Sequence, residues 1–535
     1  METDVLVVGG GMAGLCAAIS SASNLSKTMI VTKTLVGSAN TTSLAAGVIS
    51  AVTEFGNEGD ALDKHFADTL GGGIGINDKA LVRTMVNDLP KYINRLMEYG
   101  VEFDGGETPK PRFIPGHSVP RSYFMKGAGV RLQSILRRYA EALGVRLLER
   151  TTITSLVKWG DRVVGAIGFK ADTGDVVAIK ANATVLATGG PGELYPRTLN
   201  PAGSTGYGAN LGLRVGAEVV DMEFVQFYPM MVYEAGLPRI FLDYSPLLKH
   251  GAVVRNSDGE DILKKMGIME PYKLTRDAFS IIVSKEMNSP LGEKPIFLDC
   301  TQVGSEASED AWVSDVMKGL EGRGVPVRKR KFGISPYAHF FMGGLKADVD
   351  GATNLSGLFA TGEAMGGIHG ANRIGGNALA ACLVFGFRTG LASSLYAGTV
   401  NLAPEEPFIE PSSWIKEALD YNAPMTSDLG AIKNEIQALM WEKVGIIRRR
   451  EGLEEAIAKF NSLRGRVFKS KDPLEGFLLP MMLDTAEVMC LGALLRDESR
   501  GSHYREDAPE AKVSWEKRIV LKLCEGKCEV RYDSN

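Results

Sequence analysis

The feature that most constrains this chain is a strand–glycine turn–helix pattern that occurs twice, far apart in the sequence. Near the start, the apolar strand Asp4 to Val8 runs into GGGMAG, and a helix follows. The stretch Leu358 to Leu379, LFATGEAMGGIHGANRIGGNAL, repeats that order with six glycines. Glycine turns of this kind let the backbone approach a flat or phosphorylated ligand closely. Two such halves predict one large cofactor held between them.

The first pattern also indicates the type of ligand. Gly9, Gly11 and Gly14 fit the spacing G-x-G-x-x-G, in which the glycines allow a tight turn, the approach of a pyrophosphate and close helix–strand packing. The second strand ends in Thr32-Lys33 rather than in the acidic residue that binds the ribose of NAD. The sequence therefore predicts a dinucleotide site, and the absence of the acidic residue argues against NAD as the dinucleotide.

The composition argues against several classes of protein. The formal net charge of −4 over 535 residues gives no electrostatic basis for nucleic acid as a partner. The six cysteines are scattered, so we expect neither a disulfide framework nor an iron–sulfur or other metal site. The sequence shows no apolar run of the ~18 residues that a membrane span needs, and a core strand begins almost at the N-terminus. We therefore expect a cytoplasmic protein without a signal peptide or a membrane span of its own.

Five segments of the chain resemble one protein family. They are Met222–Pro229 (MEFVQFYP), His339–Leu345 (HFFMGGL), Leu358–Leu379, LMWEKVGIIRRREGLEEAI from Leu439, and DESRGSHYRED from Asp497. On these residues the chain resembles the flavoprotein subunit of succinate dehydrogenase and fumarate reductase, together with L-aspartate oxidase. The resemblance implies FAD as cofactor. It also implies an FAD-dependent oxidoreductase that transfers hydride between flavin N5 and a carboxylate-bearing substrate.

The resemblance and the pattern along the chain give the same fold prediction. We expect an α/β protein, with a split Rossmann-like FAD-binding domain, an inserted α+β capping domain and a C-terminal helical domain. The predicted boundaries are 1–230 and 345–400 for the two parts of the FAD-binding domain, 231–344 for the cap, and 401–535 for the helical domain and tail. Periodicity predicts helices over 414–464 and 477–496, a partly ordered tail with a strand or two over 500–535, and separate strands at 176–180 and from 183.

The resemblance also implies which residues hold FAD. Where the family attaches FAD covalently to a histidine, this chain has Thr41 near that position, so we predict noncovalent FAD. Glu363 is expected to bind a ribitol or ribose hydroxyl, and a helix that begins near Asn377 is expected to face the isoalloxazine ring. The implied cofactor-binding residues are Gly9, Gly11, Met12, Ala13, Gly14, Thr32, Lys33, Ser38, Thr41, Thr42, Ala46, Gly47, Ala187, Thr188, Gly189, Asp221, Gly362, Glu363, Arg373, Asn377, Ala378 and Leu379.

The substrate half of the site departs from the family. His339 and Arg373 match the family's carboxylate ligands, and we expect both to bind substrate. Tyr228 stands where the family has a substrate-binding histidine. Tyr244 falls at one position of a threonine–glutamate pair in the family's cap, so we expect it to bind substrate. Leu248 falls where the resemblance implies a catalytic arginine, which this chain therefore lacks at that position.

Without that arginine, proton transfer needs another group. We predict His250, Lys249 and Tyr228 as catalytic candidates, because histidine titrates near neutrality and a buried lysine can be tuned to do so. The dipeptide Arg276-Asp277 matches an Arg-Asp of the family, and we interpret it as an ion pair within the cap. His65 is expected to lie on a helix face.

Three functions remain open from the sequence. The first is an FAD oxidoreductase of this family with a substrate that need not be fumarate. The second is an L-aspartate oxidase-like amino-acid oxidase, which noncovalent FAD favours and Tyr228 and Leu248 disfavour. The third is a non-catalytic FAD protein that passes electrons to an iron–sulfur protein. An iron–sulfur protein is therefore an open partner, and membrane association through partner subunits is an open alternative.

Overall fold

A computed structural model describes residues 1–106, 109–288, 292–304, 310–409, 429–464, 473–524 and 527–534. The helices are α1 Met12–Ser23, α2 Thr41–Leu44, α3 Leu62–Gly72, α4 Lys79–Glu98, α5 Ala128–Ala142, α6 Tyr207–Arg214, α7 Tyr244–Lys249, α8 Ile262–Lys265, α9 Arg276–Met287, α10 Ala311–Glu321, α11 Asn377–Ala397, α12 Leu429–Lys443, α13 Arg450–Arg464 and α14 Pro473–Leu495. The strands are β1 Glu2–Val8, β2 Thr28–Val31, β3 Val48–Ser50, β4 Ser122–Phe124, β5 Arg146–Leu148, β6 Thr151–Trp159, β7 Arg162–Lys170, β8 Val176–Leu186, β9 Glu218–Val220, β10 Val225–Val232, β11 Val253–Arg255, β12 Ile296–Asp299, β13 Phe332–Phe341, β14 Gly344–Leu345, β15 Leu358–Ala360, β16 Ile447–Arg448, β17 Tyr504–Arg505, β18 Lys517–Cys524 and β19 Lys527–Ser534.

A seven-stranded sheet unites the two halves that the sequence separates. Its order is β5–β2–β1–β8–β7–β6, and β15 pairs with the C-terminal part of β8. Strands β5, β2, β1, β8 and β15 run parallel, as the doubly wound α/β fold requires. The N-terminal strand β1 and strand β15, which opens the Leu358 stretch, therefore both pair with β8. The α/β prediction with a split Rossmann-like domain is confirmed.

Strand β8 differs from its prediction. It runs unbroken from Val176 to Leu186, so the prediction of two separate strands was wrong. Its first part pairs antiparallel with β7 and its second part pairs parallel with β1. Asn182, which falls between the two predicted strands, stays in the strand because its side chain donates to the carbonyls of Ala397 and Val400.

Helix α11 packs on α1 at very short range. A Cβ atom placed on Gly386 would lie 2.6 Å from Cys16 Cβ, and one on Gly390 would lie 2.2 Å from the carbonyl oxygen of Ala17. Only glycine allows this approach. Two helices, 377–397 and 474–495, are long and apolar enough to cross a membrane, although 67% and 61% of their most apolar segments are buried inside the protein. The sequence analysis predicted helices in both regions but not that either is long and apolar enough to span a membrane. Their burial is typical of core helices.

The cap has its own sheet and its own core. Strands β10, β13, β12 and β11 form an antiparallel sheet that packs against a second cluster of buried apolar side chains. The pairing of β10 with β13 shifts register between Gln226 and Phe227 and again between Tyr228 and Met231. Such bulges bend a strand and redirect its side chains. The predicted boundary at 230 falls inside β10, and the four domain boundaries stay predictions.

The C-terminal segment is more ordered than its prediction. Strands β18 and β19 form a hairpin, and β18 extends the sheet of β9 and β14. Helices α12, α13 and α14 agree with the predicted helical region, of which residues 414–428 lie outside the described residues. Arg496 ties this region to the rest of the fold, since its buried side chain pairs with Glu223 at 2.7 Å and Glu498 at 3.1 Å.

Candidate active site

The first part of the site is a cleft at the carboxyl ends of β1, β2 and β8, where doubly wound folds bind their ligands. The turn after β1 is tight, because Gly9 has φ +121° and a Cβ atom there would lie 2.2 Å from the carbonyl oxygen of Ala187. Helix α1 begins directly after this turn at Gly11, which has no side chain to cap it, and the backbone N–H of Met12 donates to Thr42 Oγ1 at 3.3 Å. The backbone N–H groups at this helix N-terminus make this end of the cleft suitable for a phosphate.

Many of the predicted cofactor residues line this cleft. They are Gly9, Gly11, Met12, Ala13, Thr32, Lys33, Thr41, Thr42, Ala187, Thr188, Gly189 and Glu363. The hydroxyl oxygens of Thr188 and Thr361, which also line it, are buried and have no hydrogen-bond partner in the described part of the chain. A helix N-terminus, close backbone approach and unpaired hydroxyls together fit a dinucleotide cofactor.

Two ionisable side chains set the electrostatics of the cleft. Burial lowers the pKa of Lys33 to about 8, against the opposing effect of Glu193. Burial raises the pKa of Glu363 to about 7, although its Oε1 accepts a hydrogen bond of 3.0 Å from the backbone N–H of Phe341. A carboxyl group near this pKa can accept from a sugar hydroxyl or donate to an oxygen, as a ribitol or ribose contact requires.

Other predicted cofactor residues lie outside the lining of the cleft. Gly14 has the packing role expected of it, since a Cβ atom there would lie 2.1 Å from the carbonyl oxygen of Gly9. Asp221 is buried and its Oδ2 accepts from Arg518 Nε at 3.2 Å, so the structure gives it a partner in the C-terminal hairpin rather than a place in the cleft. The remaining residues of this set are Ser38, Ala46, Gly47, Gly362, Arg373, Asn377, Ala378 and Leu379.

The start of helix α11 is held by a histidine of helix α3. His65 lies on that helix, as predicted, and is fully buried, with its Nε2 at 3.0 Å from Asn377 Oδ1. Asn377 also donates to Thr69 Oγ1 at 3.0 Å. Burial lowers the pKa of His65 to about 4, so the ring is neutral at physiological pH. His65 and Thr69 therefore fix the helix end that was predicted to face the flavin.

The second part of the site is a pair of arginines that share one neutral oxygen. Arg373 Nη2 donates to Gln226 Oε1 at 2.9 Å, and Arg276 Nη1 donates to the same oxygen at 3.1 Å. The amide nitrogen of Gln226 donates to Asn372 Oδ1 and to the carbonyl of Arg373, which fixes the orientation of the amide. Asn372 in turn donates to Asp277 Oδ1 at 2.7 Å.

This pair is positively charged and has no carboxylate of the described ranges in direct contact, although Asp243 acts electrostatically on Arg276 and Glu363 on Arg373. Arg373 is 5% exposed, and its Nε has no hydrogen-bond partner. Burial lowers the pKa of Arg373, and the charge of Arg276 lowers it further. None of the described carboxylates forms an ion pair with either guanidinium group. The arrangement is therefore suited to binding an anion, because a carboxylate would relieve the repulsion and complete the hydrogen bonds.

Arg276 is the functional candidate that the sequence analysis missed. The predicted ion pair with Asp277 is replaced by the contact to Gln226, while Asp277 accepts from Asn372. Arg276 also lies beside the glycine turn, since a Cβ atom on Gly375 would lie 3.1 Å from its Nη2. The Arg-Asp dipeptide was the available signal, but only the tertiary structure shows that the two side chains point to different partners.

His339 and Tyr228 lie next to the arginine pair. The two rings are 5.4 Å apart, and Arg276 lies 5.0 Å from the centre of the Tyr228 ring. Burial lowers the pKa of His339, and the two arginines add to this effect, so the imidazole is neutral. Burial raises the pKa of Tyr228, so the phenol is also neutral. The structure thus brings together three predicted residues, Tyr228, His339 and Arg373.

The predicted proton carriers of the cap lie elsewhere. Lys249 is exposed, and His250 Nε2 lies 3.1 Å from Asp310, which begins another cap helix. Tyr244 is buried against Tyr228, with ring centres 5.5 Å apart, but its hydroxyl donates to the carbonyl of Leu274 at 2.7 Å. Lys249 and His250 therefore make no described contact with the arginine pair. No contact among the described residues supports their predicted catalytic role.

Comparisons with known proteins agree with this architecture. A family model described as an FAD binding domain matches residues 4–379, and one described as fumarate reductase flavoprotein C-term matches residues 433–534. A fumarate reductase (CoM/CoB) subunit of Methanothermobacter marburgensis is 34% identical over 97% of this chain and 97% of that protein. L-aspartate oxidase of Streptomyces coelicolor is 30% identical over 98% of this chain and 92% of that protein.

Solved structures extend the comparison. The E. coli quinol fumarate reductase protein FrdA superposes with a TM-score of 0.87 at 26% identity, and covers 100% of this chain and 97% of that chain. Sdh1 of Mycobacterium smegmatis gives 0.87 at 29% identity, with 100% and 94% covered. FAD is therefore the cofactor of this protein. The chain is an FAD-dependent oxidoreductase and belongs to the flavoprotein family of fumarate reductase, succinate dehydrogenase and L-aspartate oxidase.

Proposed function

We propose that the protein transfers hydride between N5 of FAD and a carboxylate-bearing substrate bound at Arg373, Arg276 and His339. The observation that carries this proposal is the shared oxygen of Gln226. Two guanidinium groups meet on a neutral amide, and no described carboxylate forms an ion pair with either of them. An anionic substrate supplies that direct partner. Bound FAD supplies hydride transfer, and the residues of the chain bind, orient and protonate the substrate.

The arginines have different roles in this proposal. Arg373 is deeply buried and binds the carboxylate, with His339 as a neutral hydrogen-bonding neighbour. Arg276 is only partly buried, and we assign the proton transfer to it because it donates to the same Gln226 oxygen as Arg373 and lies on the more exposed side of the pair. Reduction of a C=C bond then adds a hydride to one carbon and a proton to the other. Oxidation is the reverse.

The test compares the holoenzyme with single variants at the two arginines. Reduced methyl viologen supplies electrons, and the substrates are fumarate, crotonate and 3-phenylpropenoate. We expect turnover with at least one of them, and loss of turnover in Arg373→Ala with FAD content unchanged. Arg83→Ala, which removes an exposed ion pair with Asp63, is the matched control and should behave as wild type. Absence of turnover and of any spectral change on ligand addition in the wild type would overturn the proposal.

A second candidate is oxidation of an amino acid. Its support is the 30% identity to an L-aspartate oxidase over nearly the whole chain. An α-amino acid also presents a carboxylate to Arg373, and its oxidation would give an imino acid and reduced FAD. Aspartate added to the oxidised holoenzyme should bleach the flavin absorbance if this reaction occurs. An unchanged spectrum in the absence of oxygen would exclude it.

The cofactor attachment and the partners are also proposals. We infer noncovalent FAD, supported by Thr41 in the lining of the cleft. Acid precipitation should leave the yellow colour in the supernatant. We also infer a cytoplasmic protein with an iron–sulfur electron-transfer partner, supported by the Methanothermobacter relative, whose name describes one subunit of a fumarate reductase. Purification of the tagged protein from its own cells should recover a partner with iron–sulfur absorbance, and membrane fractions would show whether the assembly is membrane-associated.

A further inference from the structure

The side of the site beyond the arginine pair is built from aromatic rings. Tyr228 lies at its centre, with ring centres 4.7 Å from Phe241, 5.5 Å from Tyr244 and 5.6 Å from Tyr337. We call these four residues the aromatic wall. Its inner members are almost fully buried, whereas Phe241 is 36% exposed. The ring of His339 contacts both Tyr228 and Tyr337, so the wall continues directly into the anion-binding part.

The aromatic wall offers no positive charge to a second anion. The Tyr337 hydroxyl is buried and is a neutral donor without a partner among the described residues, and the Tyr244 hydroxyl donates to the carbonyl of Leu274. Asp243 directly precedes Tyr244, and its carboxyl interacts electrostatically with Arg276 and with Tyr228. Burial raises the pKa of Asp243 to about 6, so at neutral pH it is mainly charged. A carboxylate here repels another carboxylate.

Positive charge near the wall comes from the arginine pair and from Arg112, which acts electrostatically on Asp243 and forms an ion pair with Asp104 at 3.6 Å. Lys249 is exposed, and His250 is paired with Asp310. A dicarboxylate would therefore place its second charged group against aromatic rings and Asp243, without a cation of its own. A flat apolar group is favoured in the same position, because aromatic rings bury large apolar surfaces and prefer tilted contacts with one another.

We infer that the substrate is a monocarboxylate with an aromatic or heteroaromatic ring on its β-carbon, in the form of a 3-aryl-propenoate or the corresponding saturated acid. This inference rests on the proposed function and identifies its substrate class. The carboxylate binds at Arg373 and Arg276, and the ring lies against the aromatic wall. Reduction adds hydride from the reduced cofactor and one proton across the C=C bond, with electrons from the reduced viologen of the assay.

The experiment measures both binding and turnover of the holoenzyme. Binding is read from the flavin absorbance on titration with 3-phenylpropenoate, 3-(imidazol-4-yl)propenoate, crotonate and fumarate. We expect kcat/KM for one of the two aryl substrates to exceed that for fumarate by at least about 100-fold, and that for crotonate by at least about tenfold. A kcat/KM for fumarate equal to or above both aryl values overturns the inference while the proposed function stands. Failure of all four ligands to bind or react overturns the proposed function itself.

Variants in the wall test its role directly. Tyr228→His removes one ring and adds a group that can donate to a carboxylate. The ratio of kcat/KM for aryl substrate to that for fumarate should fall by about tenfold or more. Tyr228→Phe retains the ring and should keep the ratio within about threefold of wild type. Tyr139→Phe, at a tyrosine outside the site, is the matched control. An unchanged ratio in Tyr228→His contradicts the inference, and retained FAD absorbance in each variant confirms that it has folded.

Discussion

The cofactor cleft and the arginine–aromatic part of the site are built by different means. The cleft is made mostly from backbone: tight glycine turns, a helix N-terminus and the ends of parallel strands. The other part is made from side chains that arrive from β10, α9, β13 and the glycine stretch, which lie far apart in the sequence. A backbone site depends on glycine spacing and tolerates few changes. A side-chain site can be altered by single substitutions while the fold is kept.

The largest effect is expected at the arginine pair. Arg373→Ala and Arg276→Ala should each reduce kcat/KM by about 10²–10³-fold, since each removes a charged donor from a buried site. Flavin content and the melting temperature measured with FAD bound should change little. The corresponding lysine variants should recover part of the loss at Arg276, where a movable proton is needed, and less at Arg373, where the planar fork binds the carboxylate.

Unequal effects of the two alanine variants would change the roles assigned to Arg276 and Arg373. If Arg276→Ala keeps full turnover while Arg373→Ala loses it, the cap arginine has no part in the chemistry, and proton transfer belongs to another group. Steady-state kinetics with one common substrate decides between these outcomes.

The next effect is expected in the cleft at Gly11. A Cβ atom there would have its nearest described neighbour, Thr42 Oγ1, at 3.6 Å, so the apoprotein can accommodate alanine. The added methyl group occupies the space where we expect the pyrophosphate. Gly11→Ala should therefore weaken FAD binding by about tenfold or more, with the stability of the apoprotein unchanged. Fluorescence titration of the apoprotein with FAD measures the affinity for FAD, and urea unfolding measures the stability of the apoprotein.

Gly9→Ala provides the contrast. At that position the Cβ atom would lie 2.2 Å from a backbone oxygen, and φ is +121°. This variant should lose stability even without FAD, by more than ~1 kcal/mol. Equal stability of the two apoprotein variants would contradict the distinction between a glycine needed for the ligand and one needed for the turn.

A moderate effect of pH is expected from Asp243. Its folded pKa of about 6 lies above the ordinary value of 3.8, so protonation favours the folded state and this contribution to stability is lost as pH rises from 4 to 6. For the same reason an anionic ligand should bind more tightly at pH 5 than at pH 8. We expect a difference of about fivefold, because two partly screened charges interact by about 1 kcal/mol.

Two carboxyl groups that act on the arginine pair titrate in that range: Asp243, and Glu363 with a pKa of about 7. Tyr228, Tyr244 and Tyr337 stay neutral because burial raises their pKa, and burial keeps His339 neutral. Asp243→Asn should reduce the pH dependence of ligand affinity, measured by flavin absorbance, and leave the part that Glu363 contributes. An unchanged slope in this variant would assign the titration to Glu363 or to another group.

The smallest effect is expected where the sequence placed the proton carriers. Lys249→Ala and His250→Ala should keep kcat/KM within about twofold, and loss of the partly exposed His250–Asp310 pair should cost at most ~1 kcal/mol. Loss of turnover in either variant would support Lys249 or His250 as the proton carrier, as the sequence predicted, in place of Arg276.

The difference between the two regions also explains what sequence reasoning could predict. Gly9, Gly11, Thr32 and Lys33 were placed in the cleft because local spacing determines a strand–turn–helix and its ligand contacts. Arg276 was misjudged because its orientation depends on Gln226, which is distant in sequence. Other differences between the predictions and the structure also come from contacts between residues that are distant in sequence.

Asp221 received a cofactor role from the resemblance; it pairs with Arg518 in a hairpin whose pairing was not predicted, and its role stays a prediction. The predicted break in β8 does not occur, and the carbonyl partners of Asn182 there, at Ala397 and Val400, are distant in sequence. The contact of His65 with Asn377 was not predicted for the same reason. The domain boundaries and the individual roles of the site residues stay predictions.

The neutral amide at Gln226 has a consequence for the chemical ageing of this protein. Its oxygen accepts from both arginines, and it has no charge of its own. Hydrolysis of that amide, or a Gln226→Glu substitution, would exchange one nitrogen for one oxygen and provide the pair with a permanent internal anion. The new oxygen would face Asn372 Oδ1 and the carbonyl of Arg373, which now accept from the amide nitrogen, so the site would lose these two hydrogen bonds. The arginines, however, would no longer need a substrate to balance them. A deamidated molecule would thus be inhibited by its own side chain, because the new carboxylate would replace the carboxylate of the substrate.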